Sequence, residues 1–130
     1  MRVLGMDYGA KKIGLAFGDT DLLIAGPMEV LVQEGDEKLI NRLNVLIEGE
    51  KIETIVVGIP RKRSGEDTQQ AQRHRNVIEL LRKSLRIPIV AVDESFTSKE
   101  SQRLLGEMGS RASEDALAAM LILQEYFETL

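Results

Sequence analysis

The chain has 130 residues, no cysteine and a formal net charge of −4 at pH 7. This length predicts a single domain covering residues 1–130 around one substantial core. The acidic balance disfavours a protein that coats nucleic acid non-specifically, and a chain without cysteine forms neither disulfides nor thiolate metal sites. No apolar run approaches the roughly 20 residues that span a bilayer, and no signal-peptide pattern opens the sequence. We therefore expect a cytoplasmic protein with no membrane partner.

The first half of the chain begins with three predicted strands. Residues 2–8 form a buried strand, and residues 13–18 follow after a short turn, so the pair should be antiparallel. Residues 27–32 form the third strand, with apolar side chains alternating on one face. Those side chains are Met28, Val30 and Val32.

The remaining elements alternate between helices and strands. A helix begins at residues 35–36 and ends at residues 48–49, and the β-branched run over residues 53–58 is typical of a strand buried on both faces. The elements that follow are a polar loop at 61–67, a helix at 66–84, a strand at 87–92, a short helix at 97–107 and a final helix at 112–128. The second helix should bury Ala71, Val77, Ile78, Leu81 and Leu85. This order predicts an α/β fold with a mixed five-stranded sheet flanked by helices.

An acid on the first strand is the most informative feature of the sequence. Asp7 lies in or at the end of a buried strand, where an unpaired charge is costly. Gly9 and Gly14 bracket the turn that follows, and its Lys11 and Lys12 suit a phosphate backbone. Two explanations stay open: Asp7 pairs with a metal ion, or it caps a strand-turn-strand hairpin. The same short glycine pattern also opens the phosphate loops of sugar kinases and actin-like proteins.

Three acid positions lie at predicted element ends rather than on solvated helix faces. They are Asp7, the Asp93–Glu94 pair after the fifth strand, and Asp115 at the start of the last helix. Ligands gather at the carboxyl ends of strands in sheets of this kind, and converging carboxylates repel unless a cation lies between them. Hard oxygen ligands suit Mg²⁺ or Mn²⁺.

Each acid also has a purely structural explanation. Asp115 favours the positive end of the helix dipole, Asp93 is a possible N-cap, and Glu94 a possible solvated loop acid.

Basic side chains cluster after the fourth strand. Arg61, Lys62 and Arg63 form a basic loop, and Arg73 and Arg75 follow on the second helix. These residues are candidate nucleic-acid contacts, although charge runs are commonly solvated faces. Thr97 and Ser98 offer hydroxyl groups to a phosphate, or cap a helix. The single histidine, His74, lies among charged residues, and we predict that it is on the surface.

With these positions assembled, the chain resembles the YqgF-type family of Holliday-junction-resolvase-like proteins, whose members are also described as candidate pre-16S ribosomal RNA nucleases. The resemblance covers essentially the whole chain. It rests on Asp7–Tyr8–Gly9 with Lys12–Ile13–Gly14, on Val56–Val57–Gly58–Ile59–Pro60, on Gln70–Ala71 with Arg73, on Val92–Asp93–Glu94 with Thr97, and on Asp115 before Ala118–Ala119 and Leu121–Ile122–Leu123.

The resemblance implies a ribonuclease-H-like fold and a divalent-metal nuclease that acts in ribosomal RNA maturation. Carried over to this chain, the catalytic and metal-binding acids are Asp7, Glu94 and Asp115, and the cofactor is Mg²⁺ or Mn²⁺. The substrate implied is precursor ribosomal RNA, processed at the 5′ end of pre-16S RNA, or else branched DNA. We expect a monomer or a weak homodimer.

Two positions depart from the family pattern. Relatives usually have arginine directly after the Asp–Glu pair, where this chain has Ser95. The stretch at residues 109–114 is short and keeps Arg111 as its basic residue, whereas many relatives have a longer, lysine-rich loop. Three functions therefore stay open: a nuclease of structured RNA, a Holliday junction resolvase, and a catalytically weak RNA-binding ribosome-assembly factor.

Overall fold

Eight helices and strands follow one another in the parts of the chain that the computed structural model describes, which are residues 1–59, 69–94 and 114–130. They are β1 (Arg2–Tyr8), β2 (Lys12–Asp19), β3 (Ile24–Val32), α1 (Asp36–Glu50), β4 (Thr54–Ile59), α2 (Gln69–Ser84), β5 (Ile89–Asp93) and α3 (Glu114–Glu128). The predicted polar loop at 61–67 and the predicted short helix at 97–107 lie outside the described residues.

The five strands form one mixed sheet in the order β3-β2-β1-β4-β5. β1 pairs antiparallel with β2 and parallel with β4, and β4 pairs parallel with β5. All six residues of β4 are buried, as its β-branched composition predicts for a strand covered on both faces. The predicted mixed five-stranded sheet is confirmed.

Two hydrophobic cores lie on opposite faces of this sheet. Alternation along β1 directs Leu4 and Met6 into a first core shared with α1 and α2. Val3 contributes to a second core, which is shared with α3. The side chains predicted to face inward on α2 are all buried, namely Ala71, Val77, Ile78, Leu81 and Leu85. α1 and α2 therefore cover one face of the sheet, and α3 covers the other.

The third strand departs from the predicted alternation. Its pairing with β2 shifts register between Leu15 and Ala16. Met28 and Leu31, three residues apart, consequently both pack against the first core, while the side chain of Val32 is 68% exposed. The prediction that residues 28, 30 and 32 share one face is wrong, because the irregular pairing interrupts the period-two alternation.

Two backbone conformations mark the ends of α1. Gly35 precedes the helix with φ 102°, a region that favours glycine, and Lys51 ends it in the left-handed conformation with φ 56°. Among the helices of the described residues, none combines the length and apolar character needed to cross a membrane.

Candidate active site

Asp7 lies near the carboxyl end of β1, on the face of the sheet covered by α3. Residues 5 and 7 of a strand point to the same face of the sheet. Gly5 faces α3, because a Cβ added there would lie 2.6 Å from Cγ of Leu123 on α3. Asp7 is half-buried. The carboxylate therefore stands at the edge of the second core rather than in open solvent.

Glu94 follows β5 directly and reaches the same face. Its backbone N–H donates to the carbonyl of Ile59 at 3.0 Å, which continues the pairing of β4 with β5 by one residue. Val92 packs against the second core, so alternation places Glu94 on the α3 face and Asp93 on the opposite one. Asp93 is exposed, whereas Glu94 is half-buried. Of the two adjacent acids, Glu94 is the one directed toward Asp7.

Gly58 provides the space in which the two acids meet. β4 runs between β1 and β5 in the sheet. Gly58 lies on β4 and pairs with Val92 on β5. An added Cβ at Gly58 would lie 2.6 Å from Oε1 of Glu94 and 2.5 Å from Cδ1 of Ile122. Because glycine has no side chain there, Glu94 crosses over β4 and hydrogen-bonds Asp7.

Asp115 arrives at the same place from the start of α3. Gly14 on β2 pairs with Asp7, and a Cβ at Gly14 would overlap the backbone carbonyl of Asp115. The absence of a side chain at Gly14 therefore lets the first turn of α3 lie directly against β2. Asp115 is half-buried, and its charge acts on Asp7.

The environment favours the protonated form of two of these acids. Burial raises the pKa of Asp7, and the charge of Asp115 adds to this rise, while the hydrogen bond from Glu94 and the nearby His74 oppose it. Burial, the charge of Asp7, their shared hydrogen bond and the charge of Glu125 raise the pKa of Glu94 to about 8. Glu94 is accordingly the proton donor in the pair and Asp7 the acceptor.

The donor set suits a hard divalent cation. Oε1 of Glu94 is buried and has no hydrogen-bond partner among the described residues. Such an oxygen, beside a second carboxylate whose charge is also held out of water, is stabilised by a cation. In the described ranges, no three His, Cys, Asp or Glu side chains form a ready-made metal cluster. The Asp7–Glu94 pair would therefore hold the ion most closely, and the charge of Asp115 acts on Asp7 from the start of α3.

The predicted basic contacts divide into described and undescribed positions. Lys11 is exposed in the turn after β1, Lys12 is exposed at the start of β2, and Arg73 is exposed near the start of α2. Arg73 lines a cavity of about 20 Å³ together with Tyr8, Ala10 and His74, next to the end of β1. The other predicted contacts lie outside the described residues, as do the two departures from the family pattern. They are Arg61, Lys62, Arg63, Thr97, Ser98, Ser95 and residues 109–113.

His74 is buried, and the prediction that it lies on the surface is wrong. Only 2% of it is exposed, and its ring meets the edge of Tyr8 with centroids 5.6 Å apart and planes at 87°. The signal in the sequence is its spacing from Ala71, Ile78 and Leu81, which places it on the inward stripe of α2. The neighbouring arginines masked that pattern.

The chain is similar to known proteins over nearly its whole length. A model of the family RuvX: Holliday junction resolvase matches residues 1–129. A protein of Dictyoglomus thermophilum named "Putative pre-16S rRNA nuclease" is 34% identical over 134 residues, covering 99% of this chain and 96% of the relative. A protein of the same name from Sulfurihydrogenibium sp. is 36% identical over 134 residues, covering 99% and 91%.

Solved structures share the fold at low sequence identity. RuvC of T. thermophilus in complex with a Holliday junction substrate superposes with a TM-score of 0.62 at 20% identity, covering 99% of this chain and 94% of that one. The Fowlpox virus resolvase bound to Holliday junction DNA gives a TM-score of 0.57 at 8% identity, covering 99% and 98%. The fold is ribonuclease-H-like, as the resemblance implies. The chain belongs to the RuvX family of Holliday-junction-resolvase-like proteins.

Proposed function

We propose that this protein is a divalent-metal-dependent nuclease that cleaves phosphodiester bonds in structured RNA, with the 5′ end of precursor 16S ribosomal RNA as its substrate. The observation that carries the proposal is the Asp7–Glu94 pair, drawn together over Gly58 and faced by Asp115. Asp7 and Glu94 meet at the ends of parallel strands, where ligands bind in α/β sheets, and the charge of Asp115 acts on Asp7 from the start of α3.

Each acid has a defined role in the proposal. Asp7 and Glu94 hold the metal, and Asp115 completes the negative field from the start of α3. A bound Mg²⁺ or Mn²⁺ supplies Lewis-acid stabilisation of the charge that develops on the phosphate and lowers the pKa of water. Half-burial of the acids excludes bulk water from one side of the site and strengthens their electrostatic effect.

The exposed lysines beside Asp7 orient the substrate. Lys11 and Lys12 follow Asp7 within five residues, and Arg73 lines the small cavity together with Tyr8. Such side chains position a nucleic acid through its phosphates and carry no sequence information themselves. Arg61, Lys62, Arg63, Thr97 and Ser98, which lie outside the described residues, are further phosphate contacts in the proposal.

Branched DNA is the second candidate substrate. The description of the matching family, Holliday junction resolvase, favours it. The names of the relatives that cover the whole chain at 34% and 36% identity favour RNA. Resolution of a junction requires two active sites and thus a dimer, whereas processing of an RNA end does not. A cytoplasmic monomer or weak homodimer is consistent with the RNA substrate.

Cleavage of a matched substrate panel tests the proposal. Purified protein is incubated with labelled precursor ribosomal RNA and a four-way DNA junction, in Mg²⁺, in Mn²⁺ and in EDTA. We expect metal-dependent cleavage of the RNA, lost in Asp7→Asn and in Glu94→Gln. Asp93→Asn is the matched control, because Asp93 is exposed on the opposite face of the sheet. This variant should cleave RNA as the unmodified protein does.

Each other outcome has a separate meaning. Cleavage of the junction in preference to RNA would make the protein a resolvase. Binding of RNA without cleavage, equal in Asp7→Asn and the unmodified protein, would favour the ribosome-assembly factor. Cleavage by Asp7→Asn at the unmodified rate would overturn the assignment of the acids.

A further inference from the structure

The turn that carries the two lysines is held by a single glutamine. We call residues 9–12, which comprise the connection between β1 and β2 and the first residue of β2, the lysine turn. Lys11 and Lys12 are both exposed. Their side chains therefore do not by themselves hold the turn in one position. Gln33, directly after β3, is half-buried beside it.

Gln33 contacts the lysine turn from both its backbone and its side chain. Its backbone N–H donates to the carbonyl of Lys11 at 2.9 Å. Its side-chain Nε2 donates to the carbonyl of Gly9 at 3.2 Å. These bonds satisfy two carbonyl groups on the two sides of the turn and connect them to one residue.

The other end of the same side chain is attached to the start of α1. Oε1 of Gln33 accepts a hydrogen bond from the N–H of Gly35 at 3.1 Å. Gly35 has no side chain with which to cap α1. Tyr8, at the end of β1, donates from its hydroxyl to Oδ1 of Asp36 at 2.9 Å and also hydrogen-bonds Gln33. The strand that carries Asp7 and the start of α1 are thereby joined through Gln33.

We propose that Gln33 is a positioning residue, which holds the lysine turn in the conformation where Lys11 and Lys12 contact the phosphates of a nucleic acid lying beside Asp7. This inference rests on the proposed function. The amide group is suited to the role because it donates to Gly9 and accepts from Gly35 at once. A carboxylate at this position accepts but does not donate, and a thioether does neither to any useful extent.

A double-mutant cycle separates positioning from a merely structural role. The variants are Gln33→Met and Gln33→Glu, each alone and combined with Lys11→Ala/Lys12→Ala. The probe is a fluorescein-labelled RNA hairpin with a 5′ extension, titrated in EDTA so that binding is measured without cleavage. We expect Gln33→Met to raise the Kd about three- to tenfold, as the loss of ordinary hydrogen bonds does. In the lysine-free background we expect no further effect, because the two changes act through one contact.

Gln72→Met is the matched control. Gln72 is exposed on α2, and its side chain donates a hydrogen bond to Asn76 on the same helix. The substitution is chemically identical and should leave the Kd within about twofold, which is typical of surface changes that remove no special feature. In Gln33→Glu the side-chain oxygen still accepts the hydrogen bond from the N–H of Gly35. Thermal unfolding of this variant shows whether the fold tolerates the substitution.

Amide hydrogen exchange tests whether Gln33 holds the lysine turn in place, without any nucleic acid. Exchange at residues 9–12 should become faster in Gln33→Met and stay unchanged in Gln72→Met. Unchanged exchange in Gln33→Met, or equal weakening of RNA binding with and without the lysines, overturns the positioning role while leaving the nuclease proposal intact. If the unmodified protein neither binds nor cleaves the RNA, both fail; a positive exchange result then leaves Gln33 with a structural role alone.

Discussion

At the scale of single residues, the position of the Glu94 side chain depends on the absence of a side chain at Gly58. A Cβ at Gly58 would contact Oε1 of Glu94 and both Cδ1 and Cγ1 of Ile122, which are side-chain and not backbone atoms. In Gly58→Ala these two side chains move aside while the backbone stays. We expect a stability loss of only about 1–2 kcal/mol, which is moderate for overpacking. Cleavage should fall far more, at least about a hundredfold, because Glu94 is displaced from Asp7. Urea unfolding and single-turnover cleavage measure the two effects.

Gly49→Ala is the control for that substitution. Gly49 lies in the exposed part of α1, and no atom lies within 4 Å of an added Cβ. Alanine there should stabilise the helix by about 0.5–1 kcal/mol and leave cleavage unchanged. A Gly58→Ala protein that cleaves normally would show that Glu94 does not act through its contact over β4.

Some of these residues could be predicted from the sequence and others could not. Asp7, Glu94 and Asp115 stand out because an acid at the end of an apolar strand or at the start of a helix departs from the usual pattern. The choice of Glu94 over Asp93 followed the resemblance, and the period-two alternation past the end of β5 gives it a physical reason. Their catalytic and metal-binding roles stay predictions.

Gln33 and His74 were harder to recognise. The partners of Gln33 include Gly9, Lys11 and Gly35, and the bond to Gly9 joins residues 24 apart in sequence. No local pattern reports such a contact. His74 was recognisable from helical spacing, but the charges on either side of it outweighed that spacing.

At the scale of elements, α3 is held against β2 by close backbone contact. The side-chain-free position of Gly14 faces the carbonyl of Asp115, which is a backbone atom and cannot rotate away. Gly14→Ala therefore has to displace the first turn of α3. We expect a loss of about 3 kcal/mol in the free energy of unfolding, at the upper end for overpacking, with loss of cleavage. Denaturant unfolding measures this directly.

Gly26→Ala provides the comparison on the neighbouring strand. A Cβ there meets Cζ of Phe17 at 3.6 Å, an ordinary van der Waals distance. We expect a change of no more than about 0.5 kcal/mol, as for a surface substitution without strain. If the two variants are equally stable, α3 is not anchored through Gly14.

Most elements were predictable because their patterns are strong. β4 is a run of buried β-branched residues, and α2 has an apolar stripe at helical spacing. β3 was predicted less well, since the register shift opposite Leu15 and Ala16 depends on its pairing with β2 and not on its own residues. The order of strands in the sheet, with β1 between β2 and β4, is likewise a property of the tertiary structure.

At the scale of the whole molecule, the acid pair makes stability depend on pH. The folded protein raises the pKa of Glu94 from 4.5 to about 8 and also raises that of Asp7. A raised carboxyl pKa stabilises the fold below the unfolded value, and this contribution is lost as the pH rises through the folded value. In EDTA we expect the free energy of unfolding to fall from about pH 5 to about pH 9. After allowance for solvent screening, the loss is on the order of 2 kcal/mol.

Glu94→Gln isolates this contribution from all other titrating groups. The variant keeps the size of the side chain and has no proton to lose, so its stability should change less over the same range. Addition of Mg²⁺ to the unmodified protein at the alkaline end should restore stability, because a ligand that binds only the folded state stabilises it. Parallel pH profiles of the variant and the unmodified protein would rule out the acid pair as the source.

The two faces of the sheet differ in how freely they can change during evolution. On the α1 and α2 face, the core consists of interchangeable aliphatic side chains such as Leu4 and Met6, and swaps that conserve volume are tolerated there. On the α3 face, Gly5, Gly14 and Gly58 keep the helix and the sheet close together, and a Cβ added at any of them would lie less than 3.0 Å from another atom. The close approach of helix and sheet therefore leaves less room for larger side chains at these three positions than in the opposite core, and the three acids all lie on this more tightly packed side.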